Sequence, residues 1–505
     1  MTADCVLFFG NTDRLGLLKQ AGPFRLATEL RDAGFSTQCI DIGPLGSRHH
    51  LPIYQRLINK FVGPNTLWLG ISTTFMDHVL GIPIQRISAK EDIDSEHLYH
   101  NGFIDIVLDM CRQKSPNIKF IIGGGFYFNL HKYNFYHFRG YADREIVEFT
   151  KWCHNSSYSP KINRVGNIIT CDKEYNKFSV SKIKWDPSDI INSRDVLPIE
   201  ISRGCIFKCK FCSFPLNGKT KGEWVRNFDH LREELIYNYE MFGTTKYLFS
   251  DDTYNDSFDK ISMLHTEVFD KLDFKIEFTT YLRLDLMIRN KGSAQILADS
   301  GLKSAMFGIE TNNDRSARSM GKGVDFNDQI EYLHSVKSGC FSDTLIHSGF
   351  VLGFPHDTKQ SLDQLRTFLM SDNNPLDNWY TRGLSINPQP VSWQKEYFSE
   401  IDLNYQKYGY QMVDDPDPHP RIVKWINTNT DLTWDYVDKL SVQMRAEAPT
   451  WPRYKLAGFD YPRNCAIIDS DVLRTNTINQ IKSRYDVNQL VSKWITNYYD
   501  KLFLL

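Results

Sequence analysis

Three cysteines, Cys205, Cys209 and Cys212, stand inside the stretch SRGCIFKCKFCSFP at 202–215, spaced C-x3-C-x2-C. The chain has only ten cysteines in 505 residues. On a helix the three positions would form the i, i+4, i+7 stripe of an ordinary core. Their context is different: a strand-like run and Gly204 precede them, Pro215 follows, and Lys208 and Lys210 lie between them. That is a loop leaving a strand. Thiolates hold metals. Structural zinc takes four ligands, and no fourth Cys or His is close in sequence, so zinc would need a distant one. Three thiolates suit a [4Fe–4S] cluster with one iron left open. An open iron can chelate a small molecule carrying an amine and a carboxylate, and S-adenosylmethionine carries both.

The elements that would position this loop repeat regularly. Over 1–150, short apolar runs alternate with helical patterns: CVLFFG (5–10), STQCIDIG (36–43), TLWLGIS (66–72) and IKFIIGGG (118–125) read as strands. PFRLATELRDAGF (23–35) and 97–115 read as helices between them. Buried strands alternating with helices make a parallel, doubly wound, Rossmann-like α/β sheet, with ligands beyond the carboxyl ends of its strands. Residues 151–194 lose the rhythm and read as a linker with small strands. Over 195–390 the alternation restarts, with six candidate strands at 197–204, 246–252, 274–283, 304–310, 344–355 and 381–388. Six β/α units predict a partial parallel (β/α)6 barrel whose chemistry lies at the strand carboxyl ends. Residues 391–505, rich in Trp, Tyr and Pro, read as a mainly helical segment covering the barrel mouth and contributing to substrate specificity.

Composition narrows the function classes. Apolar content is 41 %, charged content 24 % and formal net charge −2, as in an ordinary globular protein. There is no clear nucleic-acid signal and no attraction to an anionic membrane. No apolar run reaches the 18 residues of a membrane span, and the amino terminus MTADCVLFFG lacks the pattern of a signal peptide. These features predict a cytoplasmic protein with reduced thiols.

The chain resembles the radical SAM superfamily, and within it the group with an amino-terminal cobalamin (B12)-binding-like domain. The cysteine motif carries the resemblance, with Phe211 as the aromatic before the last cysteine, together with YLFSDDTYND (247–256), YLRLD (281–285), GIET (308–311) and FVLGFPHDT (350–358) in this order. The resemblance implies that Cys205, Cys209 and Cys212 ligate a [4Fe–4S] cluster and that S-adenosylmethionine is cleaved to a 5′-deoxyadenosyl radical. A flavodoxin or ferredoxin is the implied electron donor. Where relatives often hold the methionine amine with Gly-Gly-Glu, this chain has Ser250, Asp251 and Asp252. A carboxylate there still suits an ammonium group, or Asp252 caps the next helix. Arg283 is placed to meet the methionine carboxylate or to form an ordinary salt bridge, Glu310 to meet the ribose hydroxyls, and Gly353 to bring backbone to the adenine or simply to turn the chain. Lys208 and Lys210 either offset cluster charge or are solvated.

In the first domain the resemblance rests on LATELRDAGF, LGISTTFM, FIIGGG and RGYADREIVEF, the last replacing a more usual Gly-Glu-Gly-Glu stretch. It places a cobalamin beside Ser72, Thr73, Gly123, Gly124 and Gly125, although a tight turn without ligand would also use the three glycines. Many cobalamin domains supply a cobalt ligand from Asp-x-His-x-x-Gly after the first strand; GNTDRLGLLKQAG (10–22) contains no histidine. His49 and His50 read as solvated. The leading expectation is cobalamin-dependent methyl transfer to an unactivated carbon or phosphorus of a small-molecule or peptide substrate. The alternatives are a rearrangement, cyclisation or oxidation without cobalamin, and a non-catalytic metal-binding scaffold or sensor.

Overall fold

The computed structural model describes residues 2–10, 18–46, 48–73, 103–124, 133–171, 178–193, 195–214, 216–387, 398–413, 423–447 and 496–505. The first sheet runs in the order β2-β1-β3-β4-β5-β7-β6. Its strands are β1 (Cys5–Phe9), β2 (Thr37–Asp41), β3 (Trp68–Ser72), β4 (Lys119–Gly123), β5 (Phe135–Arg139), β6 (Asn163–Val165) and β7 (Ile168–Thr170). Every pairing is parallel except β6 against β7. All five residues of β1 are buried because both faces are covered. Cys5, Leu7 and Phe9 enter one core, Val6 and Phe8 the other. The helix Ala21–Asp32 begins two residues before Pro23 and ends before Gly34 at φ +89°, where glycine alone adopts the left-handed turn without strain.

Two features differ from expectation. The strand β5 was not anticipated, because FYHFR mixes aromatics with charge and has no clean alternation. The predicted linker is also more than a tether: its hairpin β6–β7 extends the first sheet. Farther along, Arg31 grips Asp189 with two hydrogen bonds of 2.8 and 2.7 Å, and Trp185 packs on Phe24 at 4.4 Å. One continuous core therefore joins the first domain to the second.

The second sheet holds six strands in sequential order: β8 (Leu197–Ile199), β9 (Lys246–Phe249), β10 (Glu277–Leu282), β11 (Leu302–Glu310), β12 (Leu345–Leu352) and β13 (Asn378–Gly383). All neighbours pair in parallel, so every strand end carries its connecting loop to the same mouth. The helix Phe228–Phe242 starts where Asn227 accepts from the amides of Asp229 and His230, and stops at left-handed Gly243.

Among the described residues the carboxyl-terminal part is mainly helical, as expected, and adds one small sheet that was not expected. It forms a three-stranded antiparallel sheet of β14 (Tyr410–Met412), β15 (Trp425–Asn427) and β16 (Leu432–Thr433), then the helix Trp434–Glu447. Trp425 and Trp434 are buried here, and strands let such rings pack across neighbours. The helix over 496–504 returns to the first domain. Tyr499 donates to Asp41 O at 2.5 Å, Asp41 N donates to Tyr498 Oη at 3.1 Å, and Lys60 Nζ donates to Phe503 O at 2.8 Å. Tyr498, Tyr499 and Leu502 are buried in the first-domain core. Tyr499→Ala should therefore cost about 3–5 kcal/mol, the usual range for a lost core aromatic, and lower the first thermal transition; an unchanged melting curve would show that this helix does not complete the core. Among the described residues no helix is long and apolar enough to cross a membrane.

Candidate active site

The segment entering the cysteine loop is held on both sides. Asp251, directly after β9, has no exposed surface. Its carboxylate accepts from Ile201 N at 2.7 Å and from Ser202 Oγ at 2.7 Å, with Lys260 Nζ 3.6 Å away. On the other side Arg203 forks onto Glu200 at 2.9 and 2.8 Å and reaches Asp143 of the first domain at 3.4 Å. The rings of Tyr141 and Phe178 flank its guanidinium at 4.2 and 4.8 Å. Asp143 also pairs with Arg25. Despite its burial, Arg203 and Arg25 hold the Asp143 carboxyl below its ordinary range. Neither Asp143 nor Arg203 is among the site residues expected from the sequence; Asp143 is one of three acidic residues in RGYADREIVEF, and nothing local marks it out.

Gly204 then turns the chain at φ +75°, and the three cysteines follow, all half-buried. Burial pushes the Cys205 and Cys212 thiols above their ordinary range, and the neighbouring Cys209 pushes in the same direction. Cys209 is thus within electrostatic reach of both. Among the described residues no three His, Cys, Asp or Glu side chains stand gathered at metal-ligating spacing; the three thiols share one loop, each against its own polar partner. The loop is anchored by Lys210 N donating to Met320 O at 3.1 Å and Ile401 N donating to Lys210 O at 2.9 Å. Phe211 packs on Phe354 at 5.0 Å. Lys208 is exposed, and Lys210 lies 5.7 Å from the Tyr408 ring.

The other expected residues reach the same mouth with altered roles. Asp251 is committed to the backbone of the loop and has no face left for a ligand. Asp252 is half-buried and does not cap the next helix, whose N-cap is Ser257. Ser250 stays at the strand end, its amide donating to Ile199 O at 2.9 Å. Arg283 is claimed by Asp285 at 2.9 and 2.8 Å and by Cys209 Sγ at 3.4 Å, so it faces the cysteine loop. Glu310, at φ +73°, remains half-buried with Lys322 Nζ 3.7 Å away. Gly353, at φ +93°, is required for packing: a Cβ there would stand 2.6 Å from Trp425 Cη2. Its carbonyl accepts from Tyr410 Oη at 2.6 Å, and buried Asp357 accepts from its amide at 3.0 Å.

Burial, reinforced by Asp251 and Glu200, pushes Asp252 up to about 7. An unfolded Asp titrates near 3.9, so folding takes up a proton between those values. The stability this gives is complete below pH ~4 and is lost as the pH rises through about 7. Asp252→Asn should flatten that loss in the metal-free protein, raising stability at pH 8 by on the order of 2 kcal/mol after allowance for partial exposure. Urea midpoints of both proteins from pH 4 to 8 test this; parallel profiles would remove Asp252 as the cause.

In the first sheet the strand order reverses between β1 and β3, which marks the crevice where such sheets bind ligands. Ser72 and Thr73 leave β3 at that edge. Gly123 ends β4 beside them, its carbonyl accepting from Thr73 N at 2.8 Å, and Gly124 follows at φ +115°. Gly125 lies outside the described residues. At the start of the helix Leu51–Phe61, His49 is exposed as expected, whereas His50 is half-buried, and burial lowers its pKa.

Comparison with known proteins places this geometry. The model of the radical SAM superfamily matches residues 199–369. An uncharacterized methyltransferase of Pyrococcus horikoshii is 28 % identical over 215 residues, 41 % of this chain and 44 % of the relative. The ribosomal protein uS12 methylthiotransferase RimO of Thermotoga sp. (strain RQ2) is 22 % identical over 189 residues, 35 % of this chain and 42 % of the relative. The matches thus span less than half the length of these curated relatives. TsrM from Kitasatospora setae, a radical S-adenosylmethionine methyltransferase solved with cobalamin and a [4Fe–4S] cluster bound, superposes with a TM-score of 0.58 at 13 % identity, covering 83 % of this chain and 82 % of that one. OxsB, a cobalamin-dependent S-adenosylmethionine radical enzyme, gives 0.52 at 13 % identity over 99 % and 79 %. At such identities the likeness is one of fold, and it takes in the first sheet as well as the barrel.

Proposed function

We propose that this chain, whose residues 199–369 form a radical SAM domain, is a radical SAM enzyme that works with cobalamin to transfer a methyl group to an unactivated carbon or phosphorus. The observation that carries the reading is the placing of Cys205, Cys209 and Cys212 on the loop after the first strand of a six-stranded parallel barrel, behind a doubly wound domain. The donor set fits the implied group: three half-buried thiols, no histidine among them, in a loop fixed at both ends. When bound, the [4Fe–4S] cluster supplies an electron that splits S-adenosylmethionine to a 5′-deoxyadenosyl radical, and cobalamin supplies the methyl group.

The protein's own part is positional. Cys205, Cys209 and Cys212 each hold one iron. Ser250 and half-buried Asp252 border the place for the methionine amine, and Glu310, turned out of its strand, accepts from ribose hydroxyls. Asp143 and Arg203 tie the first domain to the cysteine loop, which fixes the separation of the two cofactor sites. Ser72, Thr73, Gly123 and Gly124 line the crevice that suits a corrin. Because 10–22 contains no histidine, this stretch offers the cobalt no imidazole. The likenesses to methyltransferases and a methylthiotransferase support group transfer over rearrangement.

The test is anaerobic reconstitution with iron, sulfide and hydroxocobalamin, followed by incubation with S-adenosylmethionine and a strong reductant. The expected result is stoichiometric corrin, a full cluster and 5′-deoxyadenosine. A full cluster without corrin would favour rearrangement, cyclisation or oxidation. A full iron complement with no 5′-deoxyadenosine would leave a scaffold or sensor.

A further inference from the structure

Each sulfur of the cysteine loop meets a side chain able to donate a hydrogen bond, and the side chains come from three places in the chain. Asn217 Nδ2 donates to Cys212 Sγ at 3.2 Å. Arg283 Nη1, after β10, donates to Cys209 Sγ at 3.4 Å. Thr253 Oγ1, after β9, stands 3.1 Å from Cys205 Sγ, which also accepts from Phe207 N at 3.5 Å. We propose that Asn217, Arg283 and Thr253 form a donor cradle that raises the reduction potential of the cluster held by the three cysteines. The inference rests on the cluster reading above.

The geometry leaves these groups little else to do. The Asn217 amide spans two acceptors, Cys212 Sγ and Cys212 O at 3.3 Å, so its nitrogen rather than its oxygen must face them. The Arg283 fork is held by Asp285 through Nε and Nη2, and its plane lies 3.6 Å from the Phe207 ring centroid. Asn255 clamps the Arg283 backbone in both directions at 2.9 Å. Only Nη1 is left, and it points at Cys209. Thr253 has one proton and two acceptors, since its hydroxyl is also 2.8 Å from Asp252 O. A ligated thiolate carries no proton and a negative charge, so it accepts that hydrogen bond in preference to a neutral carbonyl.

The direction follows from charge. Reduction adds an electron to a cluster already surrounded by thiolates. Donors aimed at the sulfurs stabilise the more negative state, and such hydrogen bonds are among the factors that set cluster potentials. The three are positioning residues that act through sulfur. Arg283 is accordingly assigned to the cluster rather than to the methionine carboxylate.

The experiment is a potentiometric titration of the anaerobically reconstituted full chain. Ti(III) citrate supplies the electron, [4Fe–4S]2+ + e− → [4Fe–4S]+, and electron resonance follows the reduced cluster. Wild type is compared with Asn217→Leu, Arg283→Met and Thr253→Val, each checked for iron and sulfide content. Each loaded variant should be about tenfold harder to reduce, a shift of ~59 mV to more negative potential for one electron. Arg283→Lys should recover part of the shift. Loaded variants that titrate at the wild-type potential overturn the proposal. So does failure of all three to take up iron, which would assign these side chains to holding the loop. A wild-type protein that binds no cluster at all refutes the functional reading instead.

Discussion

Cys209→Ala should abolish release of 5′-deoxyadenosine from S-adenosylmethionine, and Cys205→Ala and Cys212→Ala should do the same. In the proposed cluster each thiolate would hold a separate iron, so two cannot replace three. The loss should exceed a thousandfold, because a cluster short of one thiolate ligand is not held in place. Folding should be nearly intact, since the three side chains are only half-buried and each change removes little apolar area. Cys340→Ala is the matched control: Cys340 lies in the turn between the helix Phe326–Ser338 and β12, at the opposite end of the strands from the cysteine loop, and its loss should leave cleavage unchanged. Liquid chromatography of the anaerobic reaction reads both. Parental cleavage by Cys209→Ala would overturn the cluster assignment.

Gly204→Ala should disable the site without touching a ligand. Gly204 has φ +75°, and a Cβ there would stand 2.5 Å from Leu216 Cβ and 2.6 Å from Leu216 O. The left-handed conformation alone costs a residue with a Cβ about 1–2 kcal/mol. The clash cannot relax cheaply, because Cys205 N donates to Leu216 O at 3.3 Å and Gly218 N to Cys205 O at 2.7 Å. The total should reach ~3 kcal/mol or more, with iron binding lost as the loop opens. Gly222 separates the two contributions. It has φ +89° but open space around its Cβ position, so Gly222→Ala should cost only ~1–2 kcal/mol and leave iron binding intact. Thermal melting and iron content of both variants decide this. If Gly204→Ala loaded a full cluster at parental stability, the turn would not be needed.

Much of the architecture was legible because parallel strands covered on both faces appear as continuous apolar runs. All six barrel strands lie within or beside their expected positions for that reason, and so do β1 to β4. β5 escaped because its half-buried positions carry Tyr, His and Arg, which break the apolar run, and β14 to β16 because they are two or three residues long. Aromatic-rich sequence between prolines is equally compatible with helix and strand until its partners are known.

The sequence by itself singled out the three cysteines that the proposed function assigns to the cluster. Three cysteines at fixed short spacing, after a strand and before a proline, are local facts, and so is their position at the carboxyl end of a strand. It also placed Ser250, Asp252, Glu310, Ser72 and Thr73 at strand ends. Only the tertiary structure decided which neighbouring groups are available for chemistry. Asp251 and Asp252 are adjacent in sequence, yet one is sealed against Ile201 and Ser202 while the other faces the mouth. Arg283 turns to Cys209, 74 residues away, and Gly353 makes room for Trp425 rather than a ligand. The physical reason is that a polar side chain's role depends on which donors and acceptors burial forces upon it, and those partners come from distant parts of the chain that only the packed fold brings together.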